Sequence, residues 1–417
     1  MNIIMNIVLF IILSLNFLRL CLLSLFNFLR LKSSEIFKTH FNRARAYLYH
    51  VTGLDSGITN GTTNERSNNK VFGNLHDNSS VEAESCLKIT NCIGNTPLIK
   101  LSKNIIPYDN INVFVKLEYY NPSSSIKDRI IKYIINDGIK NGKITNDTIL
   151  IEASSGNTGS ALALISNSYN LSCIICTDTK CSDEKINFMK SFNNTKLTIV
   201  KSCSSLSNEH YSNIILKMAN DNKNYYHINQ YNNTLNSMSY YYGLGPEIWE
   251  QVNKNVDYFV CAAGSGGTIT GVSKYLKEKN TNLKTILIDP PGSVIGNYFK
   301  QKSLISNSNT KTVIEGIGKD SIPGTIDFNY IDDVINIDDN DSISMCYKLA
   351  NEGIFSGGSG GANVLGALKL AKSIDEQKLN INNTINIVTI IPDSGFKYMS
   401  KIFNNEWLKI NNITINK

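Results

Sequence analysis

The residues with most chemical potential lie in NPSSSIKDR, Asn121–Arg129, where one lysine, Lys127, follows a proline and three serines just as a helical pattern begins. The positive end of a helix dipole disfavours a cation in the first turn by roughly 0.3–1 kcal/mol. Ser123 to Ser125 can cap the helix, but capping alone gives no reason for the lysine. A nucleophilic amine does. Two further stretches combine glycine with hydroxyls: Ser154-Ser155-Gly156-Asn157-Thr158-Gly159 and Gly264-Ser265-Gly266-Gly267-Thr268. Each follows an apolar run and precedes a helical pattern, so each offers unhindered backbone N–H groups to an anion. Neither fits a nucleotide motif. A G-x-G-x-x-G count from Gly264 puts Ile269 at the third glycine, and a P-loop count from Gly266 reaches Gly271 followed by Val272, where lysine is required. Two anion cradles and one placed lysine point to small molecules carrying a carboxylate and a monophosphate.

The elements that must position these residues follow from hydrophobic pattern. VFVKL from Val113, TILIEAS from Thr148, SCIICT from Ser172, LTIV from Leu197, DYFVCAA from Asp257, TILID from Thr285 and NIVTII from Asn386 read as buried strands. Helical segments start near Lys127, Thr158, Ser182, Ser207, Asn236, Thr268, Asp341 and Gly361. The alternation predicts an α/β architecture with mostly parallel sheets, whose ligands sit beyond the carboxyl ends of strands.

With 417 residues and 42% hydrophobic content the chain can bury a core large enough for two lobes. The net charge is +6, but six basic residues against the single acid Glu35 fall within the first 50 positions, leaving the body nearly neutral. No basic stripe with interleaved aromatics appears, so nucleic acid is not an expected partner. Cys173 and Cys176 form a C-x-x-C, but inside the apolar run LSCIICT they serve as small hydrophobes. No second such pair follows and the five histidines lack ligand spacing, so no metal site is expected. At the front, IIMNIVLFIILSLNFL and the LCLLSLFNFL after it form an apolar leader stopped by Arg30 and Lys32. A signal followed by a basic, transit-like segment suits delivery to the secretory route or a plastid-type organelle. A membrane anchor with a positive flank is the equal alternative. Residues 52–84 read as a spacer rich in Gly, Ser, Thr and Asn.

NTPLIKL from Asn95, NPSSSIKDR, SSGNTG, GPEIWEQ from Gly245, GSGGTITGV and GGSGGANV from Gly357, in that order, resemble the fold-type II pyridoxal-phosphate enzymes, above all cysteine synthase and the catalytic core of cystathionine β-synthase. The resemblance covers about residues 85–410. It implies a tryptophan synthase β-like fold of two three-layer α/β domains: a large cofactor-binding domain from 85–120 and 233–417, a small mobile one from 121–232, and residues 1–84 as leader and spacer. It implies pyridoxal 5'-phosphate as cofactor, amino-acid substrates and a homodimer, with membrane contact only through the leader. Lys127 then corresponds to the lysine that forms the Schiff base with the cofactor and acts as base at the substrate α-carbon. Gly264, Ser265, Gly266, Gly267 and Thr268 correspond to the phosphate cradle, Asn157 to the partner of the phenolic oxygen, and Ser359 to the hydroxyl facing the pyridine nitrogen. Ser154, Ser155, Thr158 and Gln230 correspond to the substrate-carboxylate site.

The implied reaction is O-acetylserine plus sulfide giving cysteine. Cystathionine β-synthase activity is the alternative, leaned towards by EGIGKDSIP, DPPGSVIG and GGSGG. Serine or threonine dehydration follows, then a non-catalytic relative acting as scaffold. Thr234 stands where the family usually has proline, Tyr240 where it has histidine, and Thr177-Asp178 where it has Met-Pro, while Glu184 and Lys185 keep part of a charged run. These departures bear on substrate choice and rate more than on the cofactor.

Overall fold

The computed structural model describes residues 88–154, 156–204, 206–305, 311–377 and 384–415. The leader and spacer assigned to residues 1–84, and Ser155, lie outside the described residues. The strands are β1 Leu98–Lys100, β2 Ile111–Leu117, β3 Ile149–Ala153, β4 Ser172–Asp178, β5 Thr195–Val200, β6 Tyr225–His227, β7 Tyr258–Ala262, β8 Lys284–Asp289, β9 Asp333–Asn336 and β10 Ile385–Ile391. The α-helices are α1 Lys127–Lys140, α2 Asn157–Ser168, α3 Asp183–Lys190, α4 Tyr211–Asp221, α5 Leu235–Ser239, α6 Gly245–Gln251, α7 Gly267–Lys279, α8 Ile295–Gln301, α9 Asp339–Asn351, α10 Gly358–Glu376 and α11 Asn405–Ile410.

Every strand and helix expected from the pattern is present. Those not anticipated are short: β1, β6 and β9 have three or four residues, too few for alternation to register, and α6, α8 and α11 have six or seven, under two turns of periodicity.

Two sheets result, ordered β1-β2-β10-β7-β8-β9 and β5-β4-β3-β6. All their pairings are parallel except β1 with β2. The central strands of both sheets are buried on both faces, which is why they read as unbroken apolar runs, while the edge strands β1, β5, β6 and β9 are only partly covered. In β3, Leu150 joins the cluster containing Ala161, Leu162 and Ile165 of α2, while its neighbour Ile151 packs with Ile215 of α4 on the other face. In β7, Phe259 and Cys261 share a cluster with Ile269 and Val272 of α7, whereas Val260 packs with Ala362 and Val364 of α10. Cys173 and Cys176 are buried free thiols on opposite faces of β4, so they form no redox or metal pair.

Parallel order brings several strand ends to one place. β3 runs into the loop at Ser154, β7 into the loop at Gly264, and β10 into Pro392 and Asp393. The lysine-bearing loop is sewn to the last of these: Ile126 N–H donates to Pro392 O at 2.8 Å, and Ser125 forms an isolated antiparallel bridge with Asp393.

Candidate active site

Lys127 is the first residue of α1, and its backbone N–H donates to Ser125 Oγ at 3.3 Å. The next residue, Asp128, turns back to accept from Ser123 N–H at 2.7 Å and from the Ser123 hydroxyl. Burial pushes the Asp128 carboxyl up to about 6, with the Ser123 bonds opposing. The Lys127 amine is lowered from its ordinary value. The main cause is burial; Asp393 opposes it and the Lys319 charge adds to it. Desolvation leads the causes, an effect that the helix-dipole argument from sequence did not contain.

Around Lys127 one cavity is lined by Ser154, Asn157, Thr158, Gln230, Gly264, Ser265, Gly266, Thr268 and Ser359. These residues come from loops far apart in sequence. Gly267 is the member of the glycine loop not on the cavity wall; a Cβ there would stand 2.1 Å from Asn236 Oδ1. Gly266 has φ +87 and Gly156 φ +155, conformations that L side chains rarely adopt, and a Cβ on Gly156 would also strike the Lys185 stem.

Several polar side chains are engaged within the protein. Ser154 Oγ accepts the N–H groups of Gly156 at 3.1 Å and Gly159 at 2.9 Å, so it caps its own loop. The Thr158 hydroxyl donates to Gln230 Oε1 at 2.6 Å. The Asn157 amide donates to Asp393 Oδ2 at 2.6 Å and accepts from Lys397 Nζ at 3.1 Å, which fixes its orientation.

Of the groups that surround this constellation, sequence reasoning passed over Asp393, Lys397, Tyr398 and Glu315, and named Glu184 and Lys185 only as part of a charged run. Asp393, wholly buried, also accepts from the Tyr398 hydroxyl at 2.5 Å, yet its Oδ1 has no hydrogen-bond partner among the described residues. Burial pulls Lys397 down to about 8 despite Asp393 nearby. Lys185 pairs with Glu315 at 2.6 Å and lies 4.0 Å over the Tyr398 ring; burial works against its charge, but Glu315 and Asp393 outweigh it and raise its pKa. Glu184 holds Ser400 through its backbone N–H and hydroxyl, both at 2.8 Å. The available signal was PDSG at the carboxyl end of the apolar run NIVTII, a polar loop at a strand end where ligands bind.

Behind Lys127 lies a buried charge cluster. The Arg129 guanidinium donates to Glu118 through Nε at 2.7 Å and Nη2 at 2.8 Å, and to Glu247 through Nη1 and Nη2, both at 2.7 Å. Lys116 completes it with a 2.8 Å pair to Glu247. Two cations and two anions balance. Burial opposes ionisation of Glu247, but Arg129 and Lys116 hold it down at about 2. The cluster ties β2, the segment before α1, α1 itself and α6 together directly behind the lysine.

Glu152, at the end of β3, accepts the N–H groups of Ala153 at 2.9 Å and Gln230 at 3.3 Å, and burial pushes it up to about 8 from an ordinary 4.5. Between those values the folded chain keeps a proton that the unfolded chain has released. This stabilisation is complete below about pH 4.5 and is lost as pH rises through 8. From pH 6 to 8 the wild type should lose roughly 2 kcal/mol more stability than Glu152→Gln. Urea unfolding of both proteins at the two pH values checks this; parallel slopes would contradict it.

The family model described as "Pyridoxal-phosphate dependent enzyme" matches residues 89–393. The chain is 34% identical over 316 residues to the O-acetylserine dependent cystathionine beta-synthase of Bacillus subtilis (strain 168), covering 75% of this chain and 96% of that one. It is 35% identical over 323 residues to the cystathionine beta-synthase of Apis mellifera, covering 77% of this chain and 62% of the relative. Among solved structures, a hydrogen sulfide-producing enzyme from Fusobacterium nucleatum superposes with a TM-score of 0.66 at 32% identity, covering 75% of this chain and 100% of that one.

Proposed function

The chain belongs to the pyridoxal-phosphate-dependent enzymes, and on that premise we propose that it performs β-replacement on O-acetyl-L-serine, with the thiol of homocysteine as acceptor. The cofactor is pyridoxal 5'-phosphate, and the residues present fit it. A lysine amine with a lowered pKa stands in the cavity beside a glycine loop that starts a helix, and Asp393 Oδ1 has no hydrogen-bond partner among the described residues. In this reading Gly264, Ser265, Gly266 and Thr268 hold the phosphate, with Gly267 packed behind them against Asn236, Asn157 holds the phenolic oxygen and Ser359 the pyridine nitrogen. When bound, pyridoxal phosphate supplies an electron sink that acidifies the substrate α-carbon.

The observation that carries the reading is Lys127 itself: an amine biased by burial towards its neutral form can take the α-proton at Nζ. Asp393, whose charge faces that amine, favours the ammonium once the proton has arrived. The Ser154–Gly159 loop offers backbone N–H groups at the start of α2 to the substrate carboxylate, with the linked Thr158 and Gln230 side chains beside them. The Cβ–O bond breaks, acetate leaves, a Cβ–S bond forms, and the thiol proton balances the acetate released.

The donor and acceptor rest on likeness to the Bacillus relative over nearly its whole length. Sulfide as acceptor, giving cysteine, is the second reading, favoured by the GPEIWEQ segment that forms α6. Product analysis on the full chain with O-acetylserine or serine, each with homocysteine or sulfide, tests both. Cystathionine from O-acetylserine, at least about tenfold faster in kcat/KM than from serine, is expected, a barrier difference of about 1.4 kcal/mol. Turnover of serine and homocysteine alone would overturn the donor assignment, and cysteine as the dominant product would move the second reading to first place.

A further inference from the structure

Tyr240 heads the wholly buried side chains by volume among the described residues. It opens a π-helical turn, Tyr240–Leu244, that joins α5 to α6. Such a turn inserts one residue into the helical ladder and re-aims the side chains around it. The Tyr240 hydroxyl has no hydrogen-bond partner of normal geometry among the described residues. A phenylalanine would fill the same volume without leaving a buried hydroxyl unsatisfied, an arrangement that disfavours folding. The side chain packs against α7, where a Cβ on Gly271 would stand 3.0 Å from Tyr240 Cβ; Thr268, one turn earlier on the same face of α7, is part of the cavity wall and acts on the hydroxyl electrostatically. The same segment supports the other end of the loop: Asn236 Nδ2 donates to Ser265 Oγ at 3.0 Å and to Gln230 O at 2.6 Å.

We propose that Tyr240 is a positioning residue for the cofactor phosphate. Its hydroxyl donates to Thr268 Oγ1, which turns the threonine's own hydrogen towards a phosphate oxygen, so that the two hydroxyls work as a relay. A hydroxyl has one hydrogen to give and two lone pairs, so Thr268 can accept from Tyr240 and donate to the ligand at once. The charged acceptor at the end of the chain polarises both bonds. The relay gives a role to a buried hydroxyl that has no protein partner of normal geometry among the described residues. The inference rests on the cofactor reading above and adds to it the residue that orients the phosphate contact.

The test is binding of pyridoxal 5'-phosphate and of pyridoxal, which lacks the phosphate, to the full chain freed of cofactor, comparing wild type, Tyr240→Phe, Thr268→Val and the double variant. Tyr240→Phe should weaken pyridoxal phosphate binding about fivefold, the usual weight of one hydrogen bond between neutral groups, and leave pyridoxal binding unchanged. Without cofactor, its thermal midpoint should equal or exceed that of wild type, because no bond is lost. The double variant should bind no more weakly than Thr268→Val. Equal effects on both ligands, or a lowered midpoint with unchanged affinity, would show that the hydroxyl only supports the fold and would overturn the relay. A wild type indifferent to pyridoxal phosphate would remove the cofactor reading itself, a result distinct from a variant that binds as wild type does.

Discussion

Lys127→Ala should abolish β-replacement, lowering kcat by about 10³-fold or more, on the scale seen when nucleophile and base are removed together. The magnitude follows from the double duty assigned to one amine, which holds the cofactor and moves the α-proton. Burial lowers the amine's pKa and Asp393 moderates the effect, which shifts the balance towards the neutral form that accepts a proton. Three other lysines lie nearby: the buried Lys185 and the half-buried Lys319 and Lys397, of which Lys319 acts on Lys127 directly and Lys185 acts on Lys397. None is placed to substitute. Lys185 is committed to Glu315 and Lys397 to Asn157, while Lys319 donates to the Tyr231 hydroxyl at 3.0 Å. A variant that retained more than about a tenth of wild-type kcat would assign the base elsewhere.

Arg129→Leu should lower stability by roughly 3–5 kcal/mol, the cost of leaving buried charges without their partner. Glu118 is fully buried and would lose both of its guanidinium bonds, keeping, among the described residues, the neutral Thr96 hydroxyl at 2.6 Å and Asn121 amide at 2.9 Å. Glu247 would keep Lys116. Removing both ends of the Arg129–Glu118 pair in Arg129→Leu/Glu118→Leu should recover part of the loss, because no orphaned carboxylate remains there. Because Arg129 sits two residues after Lys127 on α1, the single variant should also weaken cofactor retention. Urea midpoints of the two variants decide the matter. A single variant within about 1 kcal/mol of wild type would mean that water reaches the cluster and screens it.

Much of this architecture was legible in the sequence for a definite reason. Strands buried on both faces read as unbroken apolar runs, so β2, β3, β4, β7, β8 and β10 stood out, while β1, β6 and β9 are too short to show a period. Lys127 was conspicuous because a cation opening a helix runs against a general preference. What the sequence could not show was the environment that matters more, the burial created when β10 delivers Pro392 and Asp393 against the Ser125–Ile126 backbone. The partners of Asn157 were hidden likewise, since Asp393 and Lys397 come from more than two hundred residues away. Ser154 caps its own loop, as a lone serine in a turn suggests, and also lines the cavity. Tyr240 was visible as a departure from the family pattern; its orphaned hydroxyl was not.

The most direct test of the central claim is borohydride reduction of the full chain loaded with pyridoxal phosphate, followed by digestion and peptide mass mapping. The predicted result is one pyridoxyl group per chain, on the peptide carrying Lys127. Label on Lys185, Lys319 or Lys397 instead, or no label at all, would contradict it.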